Sequence, residues 1–319
     1  MPPETSPRGA YGADDTLVDY ILGITFEIWE ERQVDLIHQY YAADIRVYAL
    51  DGITHGADAM VTGTRSMLES FPDRLLLADD VIWSGNRGDG YYSSHRIVSP
   101  MTNLGSSRYG PATGKLVKIL TIADCFVEEG VITKEWLIRD NHALCMQLGH
   151  EPLRAASQIA TERSDDCLAW INSEIGRVRD EDSDTSFEAR SLVAAWRSGD
   201  EKVLEQAYAP YAVLRRSPVE LHSGRDAILK HYASLRNAIS VDGISVDHVA
   251  TQSFGANSQS IAVRWTLAGT HVGELFGAAA SGKPLFILGS THWHVVAGRI
   301  AAEWTVFDGM GVLAQIVDG

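Results

Sequence analysis

Two tandem copies of an α+β architecture are the fold class that the sequence predicts, and three observations predict it. Arg96, Thr102, Gly105, Gly114, Lys115, Gly130, Ile132, Glu135, Trp136, Asp140 and Gln147 return, each 168 residues later, as Arg264, Thr270, Gly273, Gly282, Lys283, Gly298, Ile300, Glu303, Trp304, Asp308 and Gln315. Leu36 with Leu204, Tyr40 with Tyr208, Gly56 with Gly224, Asp58 with Asp226 and Ala59 with Ala227 keep the same offset, so no net insertion separates the copies. Within each copy, apolar residues recur first at three and four and then at two, which places helices ahead of a sheet.

The first copy opens at Asp14 or Asp15, where Asp15 with Thr16 can cap a helix carrying Leu17, Tyr20, Ile21, Ile24 and Ile28 on one face. A second helix, about 34–43, buries Leu36, Ile37 and Tyr40. A short strand at 45–49 leads through the Asp51-Gly52 turn to His55-Gly56, and a third helix runs to about Ser70, where Pro72 stops it. Strands follow near 75–83, 91–98, 116–127 and 132–140, parted by glycine-rich turns. The second copy repeats the order, with helices near 187–198, 201–208 and 224–238 and strands ending at Asp308. These patterns divide the chain into a flexible tail (1–13), a first domain (14–150), a helical linker (151–182) and a second domain (183–319). Each sheet is expected to be antiparallel, curved and covered by helices on one face.

Composition narrows the function classes. Hydrophobic residues make up 45% of the chain and charged residues 22%, so each half can bury its own core. The net charge of −15 repels nucleic-acid phosphates and anionic lipid, which argues against both as partners. No apolar run is long enough for a membrane helix, and the first residues lack the pattern of a secretion signal. Three cysteines at spacings unlike those of metal ligands fit a reducing cytoplasm. There is no phosphate-binding loop and no nucleophilic triad.

Gly269-Thr270-His271-Val272-Gly273, Ser281-Gly282-Lys283, Gly298-Arg299-Ile300, Glu303-Trp304 and Asp308 resemble the signature of the SnoaL-like polyketide cyclases, which belong to the nuclear transport factor 2-like superfamily. The first copy keeps Thr102, Gly105, Thr113-Gly114-Lys115, Glu135-Trp136 and Asp140, but has Met101 and Asn103 where the second has Gly269 and His271. The resemblance implies two cone-like domains packed as an intramolecular pseudo-dimer, with further homo-oligomerisation left open. It also implies a cofactor-free lyase, isomerase or cyclase acting on a hydrophobic, oxygenated, aromatic or polycyclic small molecule. An aspartate on the last strand would serve as acid/base, with a histidine on the strand before it. Those positions hold Asp308 with His294, and Asp140 with Phe126, so the principal site is expected in the second domain.

Each candidate has a plainer reading beside the functional one. Asp308 follows Trp304 and Val306 on a strand of period two; it is either a desolvated acid/base or the cap of the Gly309 turn. His292 and His294 share a face, and either serve Asp308, sit satisfied in the sheet or hold a metal; no third ligand is evident and no metal is expected. Arg264 and Arg96 bind either a substrate oxyanion or the motif aspartates. His271 and Asn103 line a pocket or fix a loop. Trp304, Trp136 and Tyr92 are cavity walls or core. His95 must point away from Arg96, toward the helices or an interface. The rival to an enzyme is a non-catalytic binding or assembly module, whose cones are filled with side chains and whose carboxylates are paired.

Overall fold

A computed structural model describes residues 15–178 and 186–317; the tail and the last part of the linker fall outside them. Helix α1 (Asp15–Thr25) ends in a π turn, Phe26–Glu30, and after a break at 31–33 a 3-10 turn, Val34–Leu36, leads into the short helix α2 (Ile37–Tyr40). Strands β1 (Tyr41–Ala49) and β2 (Gly52–His55) form a hairpin ahead of helix α3 (Ala57–Ser70). Strands β3 (Leu77–Asn86), β4 (Gly90–Thr102), β5 (Leu116–Glu128) and β6 (Val131–Arg139) complete a six-stranded sheet in the order β2-β1-β6-β5-β4-β3. Neighbours run antiparallel except β1 and β6, which are parallel. The expectation of a purely antiparallel sheet is corrected there: a connection through β2, α3 and three further strands returns the chain beside β1 in the same direction.

Helices α4 (Asn141–Leu148), α5 (Pro152–Glu162) and α6 (Asp165–Arg177) link the copies. The second copy has α7 (Phe187–Val193), α8 (Glu201–Ala207), β7 (Tyr208–Ser217), β8 (Glu220–Ser223), α9 (Arg225–Ala238), β9 (Ile239–Ser253), β10 (Ser258–His271), β11 (Pro284–Val296), β12 (Arg299–Phe307) and α10 (Gly309–Ile316). Its sheet order, β8-β7-β12-β11-β10-β9, reproduces the first. No described helix is long and apolar enough to cross a membrane.

The repeated motif residues turn out to hold the backbone. A Cβ at Gly105 would lie 2.5 Å from the Glu69 carbonyl, and one at Gly273 would lie 2.2 Å from that of Asn237, so both loops press on the end of the long helix only without a side chain. Asn103 donates to the Gly105 carbonyl and accepts from the Thr113 backbone, while His271 Nδ1 accepts from the Ser281 backbone. Both therefore fix a loop.

One face of each sheet carries helices and the other meets its counterpart. Each copy's strand arginine stacks on the other's motif tryptophan, Arg264 over Trp136 at 3.5 Å and Arg96 over Trp304 at 3.8 Å. Arg264 Nη1 donates to Asp124 Oδ2 at 2.7 Å, and His292 lies between Ser94 and Arg96. Tyr92 packs on His248 in the same layer.

Candidate active site

The helix-covered faces of the two sheets differ. In the first domain, α1, α3 and the sheet enclose a cavity of about 590 Å³. Period-two alternation puts His95 and Ile97 of β4, Thr121, Ala123 and Cys125 of β5, and Glu135, Leu137 and Arg139 of β6 on its floor. Ile21, Ile24, Trp29, Met60 and Met67 form the helical wall, and Asp51, Arg108 and Tyr109 lie along the loops.

In the second domain the same positions are bulkier. Ile28, Thr64, Ile97 and Arg139, all on the first cavity's lining, are replaced at the repeat offset by Trp196, Tyr232, Trp265 and Phe307. Trp196 packs on the other three with ring centroids 4.9 to 5.6 Å apart, and all four are fully buried. Even a methyl at Gly289 would lie 2.2 Å from the Trp265 ring. The second cone is filled with side chains.

Glu135 and its counterpart Glu303 follow that difference. Glu303 accepts hydrogen bonds from the Tyr208 and Tyr232 hydroxyls and from Thr305. In the first copy Tyr40 turns to Glu27 instead and the second tyrosine is Thr64. Glu135 Oε2 is consequently buried without a partner among the described residues. Burial pushes the Glu135 carboxyl up to about 7, against a smaller opposing pull from Arg139. His95, 2% exposed, has no partner at Nε2, and burial holds its pKa down to about 4, so the ring is neutral near pH 7.

The charges nearby are mostly accounted for. Arg108 Nη1 donates to Asp51 Oδ2 at 2.6 Å, with Arg139 Nη2 at 3.8 Å from the same oxygen. Behind this pair, Asn141 Nδ2 donates to Asp308 Oδ2 at 3.1 Å and lies 3.5 Å from Asp51 Oδ2. Burial and then the neighbouring Asp51 raise the Asp308 pKa.

The sequence-predicted residues are not brought together. Asp308 and Asp140 cap α10 and α4, accepting from the Met310 and Ala143 backbones, and neither lines the first cavity. Burial raises Asp140 to about 6, with Arg216 pulling the other way. His294 pairs in register with Ala302, six residues before Asp308 along the chain, and approaches Ser258. Arg96, Arg264, Tyr92, Trp136 and Trp304 lie in the layer between the sheets, and His271 and Asn103 in their loops. For metal binding, His292 is engaged by Ser94 and Arg96, whereas Glu220, His222 and His231 bring ligand atoms within 4.8 Å of one another at the second domain's edge.

Sequence reasoning put His95 on the helix or interface side and Glu135 in the repeated motif without giving either a role, and it passed over Arg139, Arg108 and Arg74. Position-by-position comparison of the copies held the signal, because bulky apolar residues in one stand against smaller or polar ones in the other.

The family model of the SnoaL-like polyketide cyclases matches the chain twice, over residues 21–148 and 188–316, and the chain belongs to that family. Among solved structures, IdmH from Streptomyces antibioticus is 21% identical, with 41% of this chain and 97% of that one covered and a TM-score of 0.36. AclR from Streptomyces galilaeus is 20% identical over 43% and 83% at a TM-score of 0.38. A SnoaL-like polyketide cyclase from Agrobacterium tumefaciens is 16% identical over 42% and 98% at 0.35. No curated protein sequence matches the chain.

Proposed function

We propose that the first domain is the catalytic half of a cofactor-free, cyclase-type enzyme. Its substrate would be a hydrophobic, oxygenated small molecule, aromatic or polycyclic, and its chemistry aldol closure, the reverse aldehyde-releasing cleavage, or dehydration. The observation that carries this reading is Glu135, a buried carboxyl with an unpartnered oxygen that faces an open cavity, while its repeat counterpart is sealed by two tyrosines. On this reading Glu135 takes the place of the aspartates as the acid/base, since Asp308 and Asp140 each commit one oxygen to a helix cap and neither lines the open cavity.

A carboxyl with its pKa near 7 is poised to take and return a proton at neutral pH. Ionised Glu135 removes a proton from the carbon beside a carbonyl, and the C–H electron pair moves onto the carbonyl oxygen as an enolate. The enolate carbon then forms the new bond to a second carbonyl, and Glu135 returns its proton to the resulting alkoxide. Arg139 and neutral His95 share the cavity floor and supply donors for the developing oxyanion. The apolar walls exclude water that would otherwise level the carboxyl's pKa. A volume of about 590 Å³ suits a ligand of two to three rings. The second domain acts on this reading as a closed, non-catalytic copy, which its filled cone favours.

Proton abstraction can be followed without the natural substrate. In heavy water, the wild type is expected to accelerate deuterium uptake beside the carbonyl of 1-tetralone, with a rate that rises through about pH 7. Glu135→Gln should lower the catalysed rate by about 100-fold or more. An unchanged rate in a folded Glu135→Gln protein would remove Glu135 from the chemistry.

A further inference from the structure

We infer that the first-domain cavity takes an organic carboxylate, anchored by Arg74. Arg74 lines the cavity at 5% exposure, yet no carboxylate lies within 4.0 Å of it among the described residues. Its Nε donates to Ser99 Oγ at 2.9 Å. Ser99 Oγ in turn donates to the Leu75 carbonyl at 2.7 Å, so its proton is committed elsewhere and it can only accept from Arg74. The guanidinium rests 5.1 Å from the Trp29 ring centroid, an aromatic face that orients a cation without neutralising it.

Asp51 and Asp73 are committed elsewhere, and the free carboxyl of Glu135 is not among the groups that act on Arg74. Asp51 serves Arg108 and Arg139, while the adjacent Asp73 accepts from the Thr102 backbone and hydroxyl. The cations that act on Arg74 are Arg139 and Arg32, which add repulsion to its burial and hold its pKa down to about 9; it is still charged at pH 7. A buried guanidinium without a counter-charge is costly to the fold, and a ligand oxyanion offsets that cost.

Nε is already taken, which leaves the paired Nη groups, and two parallel N–H donors match one carboxylate. The second domain offers nothing comparable, since an exposed aspartate, Asp242, stands at the repeat position of Arg74. The anchor thus occurs only in the copy whose cone is open. It also sorts substrates, because an ester or amide of the same shape leaves the guanidinium uncompensated.

The inference rests on the first cavity being the binding site and not on Glu135 being the acid/base. It is tested by calorimetry and thermal shift with 2-naphthoate and its uncharged analogue 2-naphthamide at pH 7. Wild type should bind 2-naphthoate roughly tenfold or more tightly than the amide. Arg74→Met should erase that preference, and Glu135→Gln should keep it. Equal binding of acid and amide by the wild type, a comparison that needs no variant to fold, would overturn the inference. So would a folded Arg74→Met protein that keeps the preference, or inorganic phosphate stabilising the wild type as much as 2-naphthoate does. A proton-exchange rate indifferent to Glu135→Gln would defeat the acid/base reading alone and leave the anchor standing.

Discussion

Glu135 and His95 share one cavity floor and pull the stability of the fold in opposite directions as pH changes. Glu135 titrates near 4.5 when unfolded and near 7 when folded. The unfolded chain releases that proton first, so stability falls as pH rises across this window and the loss persists above it. His95 moves from 6.5 down to about 4; the unfolded chain binds its proton first, so stability falls as pH drops from about 6.5 to 4. Each effect is on the order of 3 kcal/mol, and between about pH 4.5 and 6.5 the two nearly cancel. Urea unfolding as a function of pH should therefore separate them. Relative to wild type, Glu135→Gln should gain stability from pH 4.5 to 7, and His95→Asn should gain it from pH 6.5 to 4. Neither residue stood out in the sequence as catalytic. Alternation fixes that 95 and 96, or 135 and 136, face opposite ways, but which face bears the helices follows from tertiary packing. The motif tryptophans and arginines are expected to face the cone cavities, and they face the other sheet instead.

Secondary structure was more legible, because long periodic segments and helix stops depend on neighbours in sequence. The helices, the four long strands and their turns emerged in the expected order. The β1–β2 hairpin was half seen, as a strand and a turn, since four residues of β2 are too few for a period to show. The parallel pairing of β1 with β6 joins segments some ninety residues apart and leaves no local trace. The cap at Asp308 was visible as one of two readings, and both Asp140 and Asp308 begin helices that they cap. Packing of the second cone yields its own prediction. Trp265→Ala removes a fully buried ring from among Trp196, Thr291 and Gly289, and should cost about 3–5 kcal/mol in chemical denaturation. Proton exchange per folded molecule should be unchanged, because that ring is a filler in the closed copy.

At the scale of the molecule, duplication has produced two sheets back to back and two cones that diverged. The Arg96–Trp304 and Arg264–Trp136 stacks repeat each other with the roles of the copies exchanged, as in an isologous interface between identical subunits. The repeat offset made the duplication legible, and the family resemblance, not any local pattern, pointed to the convex sheet faces as the ones that meet. Asp124 is nearly buried against Arg264 with His248 beside it. Asp124→Asn should therefore destabilise the chain by about 3–5 kcal/mol, read from the urea midpoint, by leaving a buried guanidinium without its counter-charge. The central claim, that the open first cone works and the filled second does not, is tested most directly by one matched pair in the deuterium-exchange assay, Glu135→Gln against Glu303→Gln. The account predicts loss of catalysed exchange in Glu135→Gln and a retained rate per folded molecule in Glu303→Gln. Loss in Glu303→Gln with a normal rate in Glu135→Gln would contradict it and return the site to the second domain.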